Sequence, residues 1–149
     1  MSTDAKSITR VFPHNSPTPR GPYSPAVRAG DFIYVSGQGP IDPVTDKLSI
    51  GDIKHETHLV LSNIQRILAA CDATMADVVK CSVFLREGPD FPAMNEVYKQ
   101  FFGDAFPART TVVCTFHNPA MRVEIDAIAY KPVKYFAGSS QRVDRPDAT

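Results

Sequence analysis

Two stretches of the chain repeat apolar residues at the spacing of an α-helix. In residues 52–71 these positions fall on one face of a helix with 3.6 residues per turn. They are Ile53, Val60, Leu61, Ile64, Ile67, Leu68 and Cys71. The same spacing over residues 90–102 is set by Phe91, Met94, Val97, Tyr98 and Phe101. The pattern predicts two amphipathic helices, the first beginning with Asp52 as its capping or first-turn acid.

Most other apolar segments alternate with polar residues, as in strands that bury one face. The predicted strands are 7–12, 26–28, 32–36, 76–85, 109–116 and 122–130. Ala29-Gly30-Asp31 is expected to join the second and third strands as a hairpin. Turn-forming residues within 41–49 predict a loop. The order is therefore three strands, a helix, a strand, a helix and two strands, which predicts the α+β class with both helices on one face of a sheet.

Strand 76–85 has apolar residues on both of its faces. The residues expected on one face are Val79, Cys81, Val83 and Leu85, and those on the other are Val78 and Phe84. Both faces of the sheet are therefore expected to be covered. We expect one domain over residues 1–130, including an N-terminal segment 1–18, followed by a polar C-terminal extension 131–149.

Composition narrows the class of protein. The 149 residues include 16 basic and 16 acidic side chains, so the net charge is zero. That balance argues against a broad positive surface for nucleic acid or anionic membranes. The sequence shows no signal peptide and no apolar run of membrane-spanning length, and its three cysteines form no C-x-x-C pair. We expect a cytoplasmic protein with reduced thiols, for which membranes and nucleic acid are not partners.

Metal and phosphate chemistry have little support in the sequence. His55 and His58 stand three residues apart on the first predicted helix, without the spacing of a zinc motif or an evident third ligand. Surface histidines are the simpler interpretation. Gly37-Gln38-Gly39 lacks the further glycine and the lysine of a phosphate-binding loop. We expect no metal site.

Four segments of the chain together resemble one protein family. They are Gly21-Pro22-Tyr23-Ser24-Pro25, Val35-Ser36-Gly37-Gln38, Asn95-Glu96-Val97-Tyr98, and Pro107-Ala108-Arg109-Thr110 followed by Val123-Glu124-Ile125. In this order they resemble the RidA (YjgF-like, L-PSP) family of imine and enamine deaminases, from about Pro19 to Tyr130. The resemblance implies a chorismate-mutase-like α+β domain with a mostly antiparallel sheet. It also implies a homotrimer whose sheets form a central barrel, with sites between subunits and neither a metal nor an organic cofactor.

The resemblance also assigns roles to residues. It implies that Arg109 holds the carboxylate of a small anionic imino or enamino acid, which a guanidinium can do with two parallel hydrogen bonds. Glu124 would hold water or carry protons, and the Tyr23 hydroxyl would bind substrate or water. Each role has a structural alternative. Arg109 could form an ordinary ion pair, and Tyr23 could serve only in packing. Glu124 could face solvent or pair with Arg122 across the sheet.

Five further residues are candidates for substrate binding. They are Ser36, Gly37, Thr111, Asn95 and Phe91. The Ser36 hydroxyl could instead satisfy a turn, Asn95 could brace the cleft from its helix, and Phe91 could belong to the core. Gly37 would let the backbone approach a ligand closely.

Thr111 departs from the family pattern, because many imine deaminases of this family carry cysteine there. The expected activity is hydrolysis of 2-aminoacrylate or 2-iminopropionate to a 2-keto acid and ammonia. Thr111 and Ala129-Tyr130-Lys131-Pro132 also resemble 2-aminomuconate deaminases, which leaves that substrate open. A non-catalytic protein that senses small carboxylates is a second alternative. Ribonuclease activity is less expected, since no basic-aromatic surface is evident.

Overall fold

The computed structural model describes residues 7–133. Of the predicted C-terminal extension 131–149, only the first three residues fall within this range. The start of the predicted segment 1–18 also lies outside it. Residues 7–133 hold the whole of the sheet and both helices.

The structure consists of a six-stranded mixed sheet, a small two-stranded hairpin and two helices. The strands are β1 (Ile8–Val11), β2 (Ala26–Ala29), β3 (Phe32–Gln38), β4 (Ile41–Asp42), β5 (Lys47–Leu48), β6 (Val78–Leu85), β7 (Ala108–Val113) and β8 (Val123–Tyr130), and the helices are α1 (Ile53–Ala69) and α2 (Phe91–Phe102). The main sheet has the order β1-β2-β3-β8-β6-β7. Its pairs are antiparallel except β6 and β7, which run parallel because α2 crosses over between them.

Both helices pack on one face of the sheet, as the sequence predicts. Helix α1 lies against β8 and β3, and α2 packs on α1. The Asp52 side chain caps α1 by accepting a hydrogen bond from the His55 N–H at 2.8 Å. Alternate residues of β8 point into this core, and Val123, Ile125, Ala127 and Ala129 are all buried. Their period of two fixes which side chains of β8 face the helices and which face away.

The segment predicted as a loop, 41–49, is instead a short hairpin. Ile41 pairs with Leu48, and Asp42 pairs with Lys47. Asp42 closes the turn, because its side chain accepts hydrogen bonds from the N–H groups of Val44 and Thr45. The two strands are only two residues long, too short for an alternating pattern to indicate them.

The sheet faces of Val78 and Val79 were both wrongly predicted, because β6 contains an irregularity. The register with β8 shifts between Val78 and Lys80. As a result Val78 is 5% exposed and joins the core, whereas Val79 is 44% exposed. The β7 strand also ends earlier than expected, at Val113 rather than at residue 116. The partner strand β6 ends at Leu85, which is in register with Val113, and the Cys114 N–H makes one more bond, to the Leu85 carbonyl.

The second face of the sheet is not covered by any part of the chain that the structure describes. It carries large exposed apolar side chains, including Phe32, Tyr34, Val112 and Tyr130. The rings of Phe32 and Tyr130 lie 5.2 Å apart, centroid to centroid. An exposed patch of this kind is typical of a surface that binds another protein.

Glu56 connects helix α1 to the start of β8. This glutamate is fully buried, and its carboxylate accepts hydrogen bonds from the backbone N–H groups of Arg122 at 2.8 Å and Gly51 at 3.3 Å. A buried carboxylate is tolerable only when such donors compensate for its lost hydration. Glu56 therefore fixes the first residues of the strand that carries Glu124.

We predict that Glu56→Ala lowers the free energy of unfolding by about 2–4 kcal/mol, because it opens a cavity and leaves two partly buried N–H groups without acceptors. Urea unfolding followed by circular dichroism measures the change. Glu96→Ala is the matched control, since Glu96 pairs with Lys54 on the surface at 2.6 Å and should change stability by less than about 1 kcal/mol. Equal effects from the two substitutions would contradict the role of Glu56.

Candidate functional site

A cleft of about 570 Å³ opens beside the carboxyl-terminal half of β3. Three of the sequence-predicted residues, Tyr23, Gly37 and Glu124, line it. The other lining residues come from the segment before β2, the hairpin and the loop before β8. They are Pro17, Thr18, Pro19, Arg20, Pro25, Gln38, Gly39, Ile41, Leu48, His117, Asn118, Pro119 and Met121.

A bulge in β3 places Gly37 against Glu124. Between Val35 and Gln38 the register with β8 shifts, so that β3 carries one residue more than its partner strand. A Cβ atom at position 37 would overlap the Glu124 Oε1 atom. Glycine is therefore needed here for the space it leaves to the carboxylate.

The surroundings of Glu124 favour its protonated form. Burial raises the pKa of this half-buried carboxyl group, and the nearby Asp126 carboxylate raises it further. His117 opposes the shift and lowers the pKa of Glu124. A carboxyl group with a raised pKa can both accept and donate a proton closer to neutral pH than an ordinary glutamate.

The hydroxyl groups of Tyr23 and Ser36 differ in the hydrogen bonds that they make within the chain. The Tyr23 hydroxyl accepts a hydrogen bond from the Arg20 N–H at 3.1 Å, which leaves its own proton to donate. The Ser36 hydroxyl donates to the Ser24 carbonyl at 2.6 Å. Ser36 thus connects the turn before β2 to β3, which is the structural role that the sequence left open for it. It does not line the cleft.

Arg109 lies outside this cleft, on the strand at the sheet edge. Its guanidinium carbon is 4.7 Å from the ring centroid of Tyr98 and 5.6 Å from that of Phe91. No carboxylate among residues 7–133 lies within ion-pair distance of it. The two aromatic rings support the cation without neutralising it, so it can still bind an anion.

One face of helix α2 lies beside Arg109. Phe91, Asn95 and Tyr98 recur there at intervals of four and three residues, and the buried Asn95 Oδ1 has no hydrogen-bond partner among the described residues. Thr111 lies two residues after Arg109 and therefore on the same face of β7. Tyr98 was interpreted from the sequence only as a helix core residue. The signal that could have singled it out is its place on the stripe that also holds Phe91 and Asn95.

Arg109 and Glu124 lie on opposite faces of the sheet. Arg109 is in register with Cys81, which is buried on the helix side, whereas Glu124 is in register with Phe84, three residues further along β6. Neighbouring residues of a strand alternate between faces, so an odd separation reverses the side. One chain therefore presents two half-sites: Arg109 with Phe91, Asn95 and Thr111, and Glu124 with Tyr23 and Gly37.

The two histidines of α1 make local contacts. His55 Nε2 is 2.9 Å from the Ser49 hydroxyl, and the His58 ring packs edge-on against Phe101. Within residues 7–133, no three His, Cys, Asp or Glu side chains are grouped so that they could hold a metal ion. No helix in the same range has the length and apolar character to cross a membrane.

Arg122 does not pair with Glu124, the partner considered for it from the sequence. Arg122 pairs with Asp90 at the start of α2, with 3.3 Å between the Arg122 Nη1 and Asp90 Oδ2 atoms, rather than with Glu124. This pair holds the beginning of β8 against α2. The Glu124 carboxylate is left facing the cleft.

Comparison with known proteins gives consistent matches over this fold. The family model described as Endoribonuclease L-PSP matches residues 13–131. A RutC family protein of Pyrococcus horikoshii is 46% identical over 121 residues, which cover 81% of this chain and 96% of that protein. A 2-iminobutanoate/2-iminopropanoate deaminase of Dermatophagoides farinae is 42% identical over 113 residues, covering 76% of this chain and 88% of that protein.

Solved structures match to a similar extent. A Thermotoga maritima protein superposes with a TM-score of 0.79 at 42% identity, covering 83% of this chain and 98% of that chain. Escherichia coli TdcF, whose structure holds bound serine, gives a TM-score of 0.77 at 31% identity over 83% and 98% of the two chains. The expected α+β YjgF-like fold is thereby confirmed, and the chain belongs to the RidA/YjgF/L-PSP family.

Proposed function

We propose that the protein is a deaminase that hydrolyses small 2-imino and 2-enamino acids, such as 2-iminopropionate, to 2-keto acids and ammonia. The observation that carries the proposal is the unneutralised Arg109 guanidinium, held between Tyr98 and Phe91. The family includes proteins named as 2-iminobutanoate/2-iminopropanoate deaminase and 3-aminoacrylate deaminase. The serine bound to TdcF, an amino acid with an α-carboxylate, is consistent with an anion site in this family.

The active site is proposed to form between two copies of the chain, as in a homotrimer. Within one chain the sheet separates Arg109 from Glu124, so the two half-sites can face one substrate only if a second copy supplies one of them. The uncovered sheet face with Phe32, Tyr34 and Tyr130 supports such an assembly, because burying it would remove a large apolar area from water.

In the proposed reaction the residues bind, orient and move protons. Arg109 binds the carboxylate of the imine through paired hydrogen bonds. Glu124 takes a proton from water as the water oxygen bonds to the imine carbon, and passes that proton to the nitrogen to give a carbinolamine. Glu124 then takes the carbinolamine hydroxyl proton and returns it to the nitrogen as the C–N bond breaks, so ammonia leaves and the keto acid remains. The Tyr23 proton is available to bind water or substrate, and holding the reactants together supplies much of the rate.

We predict that Arg109→Ala lowers kcat/KM for 2-iminopropionate, generated in situ, by at least ~100-fold, since the substrate loses its charged anchor. Arg109→Lys should retain part of the activity because it keeps a point charge without the paired geometry. Ammonia release measures the reaction, and Lys99→Ala, an exposed cation on the same helix as Tyr98, is the control. Wild-type activity in purified Arg109→Ala would refute the proposal. Carboxylate binding without ammonia release would instead favour a non-catalytic binding protein.

The raised pKa of Glu124 predicts a pH dependence with a definite sign. If its carboxylate is the base, kcat/KM falls as the pH drops through that raised pKa, at a higher pH than for an ordinary glutamate. His117→Asn should move this limb to higher pH, because a group that lowers the pKa is removed. Asp126→Asn should move it to lower pH while keeping an acceptor for the Ser82 N–H.

The pKa of Glu124 is to be measured in parallel by carbon-13 NMR of the carboxyl group in the three proteins. The pH of the activity limb and the pKa from NMR should shift in the same direction in each variant. A Glu124 pKa at or below the ordinary glutamate value, or shifts opposite to these signs, would contradict this account of its surroundings. An activity limb that does not follow the measured pKa would show that Glu124 is not the base.

A further inference from the structure

The cleft around Glu124 is larger than the smallest proposed substrates need. Its volume of about 570 Å³ lies within the ~300–1,000 Å³ typical of sites for drug-sized ligands. A molecule of 2-iminopropionate has only about six non-hydrogen atoms, so it would fill a small part of the cleft that a single chain presents. The part beyond Glu124 can therefore select the side chain of the substrate.

The charged groups in the cleft are of opposite sign and come from different elements. Glu124 stands at the bulge of β3, whereas Arg20 stands beside the turn of the β4–β5 hairpin. The remaining lining is mainly proline, glycine and apolar side chains, with His117 near Glu124. Arg20 is thus the one permanent cation among the lining residues.

The hydrogen bonds of Arg20 leave most of its guanidinium unused. One nitrogen, Nη2, donates to the backbone carbonyl of Asp46, and its distance to the Asp46 carboxylate is 3.9 Å. That carboxylate accepts the N–H of Thr18 at 3.0 Å. A guanidinium has five N–H donors, so several remain for a ligand in the cleft. The Asp46 carboxylate forms a long, half-exposed ion pair with Nη2, which orients the Arg20 side chain and leaves its other N–H groups for a ligand.

The backbone at Arg20 is also held in place. Its N–H donates to the Tyr23 hydroxyl at 3.1 Å, and Pro19 and Pro22 restrict the chain on either side. A cation on a restricted segment loses little conformational freedom when it binds an anion. Arg20 therefore has the features of a second anion-binding group, next to a proposed catalytic hydroxyl.

Building on the proposed function, we propose that the site prefers 2-imino acids carrying a second acidic group, with Arg109 binding the α-carboxylate and Arg20 binding the distal one. The substrate class is that of the imines of acidic amino acids, with Arg109 supplied by the second copy of the chain. The apolar lining contacts the methylene groups between the two carboxylates. A neutral side chain of the same length would leave the remaining N–H groups of Arg20 without a ligand.

The test compares two imines of equal carbon number, generated in situ by amino-acid oxidases. These are 2-iminoglutarate from glutamate and 2-iminopentanoate from norvaline. The wild-type protein is expected to prefer 2-iminoglutarate by at least ~10-fold in kcat/KM. Arg20→Met should abolish most of that preference. Lys47→Met, which removes an exposed cation of β5 outside the cleft lining, should leave both rates unchanged.

Equilibrium binding separates this proposal from the proposed function. Binding of 2-oxoglutarate and 2-oxopentanoate, the stable keto acids, needs no turnover and should show the same preference and the same loss in Arg20→Met. A wild-type protein without preference, or an Arg20→Met variant that affects both ligands equally, would overturn the second anion site. Weakened assembly of Arg20→Met in sedimentation would also overturn it, because Arg20 would then serve a subunit contact. Preferential binding without ammonia release would support the Arg20 site while refuting the deaminase.

Discussion

The alternation of side chains between the two faces of the sheet is the constraint on which the rest of this structure depends. On one face, β8 places Val123, Ile125, Ala127 and Ala129 beneath the helices and so builds the core. The residues between them, including Glu124, must point to the other face. The same rule in β6 and β7 puts Arg109 on the helix side, so Arg109 and Glu124 cannot face one proposed substrate within one copy of the chain.

The two half-sites have different electrostatic characters, which suit different tasks. Arg109 keeps its charge and lacks a carboxylate partner among the described residues, because aromatic rings rather than acids surround it. Glu124 is half-buried at a bulge, where lost hydration raises its pKa. A permanent cation suits binding and orientation, and a carboxyl group that changes its protonation easily suits proton transfer. In the proposed reaction, β7 and α2 therefore recognise the substrate, and β3 and β8 activate water.

The spacing of residues within single segments predicted much of the fold. Features that depend on how one strand or helix pairs with another were not predicted. Both helices follow from stripes of apolar residues within one segment, and the Asp52 cap from its position alone. The facing of Val79 was wrong because the irregularity at Val78 depends on how β6 pairs with β8. The candidate residues came from a family resemblance, whereas the separation of Arg109 from Glu124 needs the register of three strands. Tyr98 was missed because a ring that supports an arginine has the same helical spacing as one that fills a core.

Subunit mixing tests the central claim, that Arg109 and Glu124 act together only across two copies of the chain. Arg109→Ala and Glu124→Gln, each inactive alone, are unfolded together in equal amounts and refolded, and mixed assemblies are verified by native mass spectrometry. In a cyclic trimer about one quarter of the interfaces would then pair a native Arg109 with a native Glu124, so activity should return to about a quarter of the wild-type value. Verified mixed assemblies that stay inactive would contradict the account.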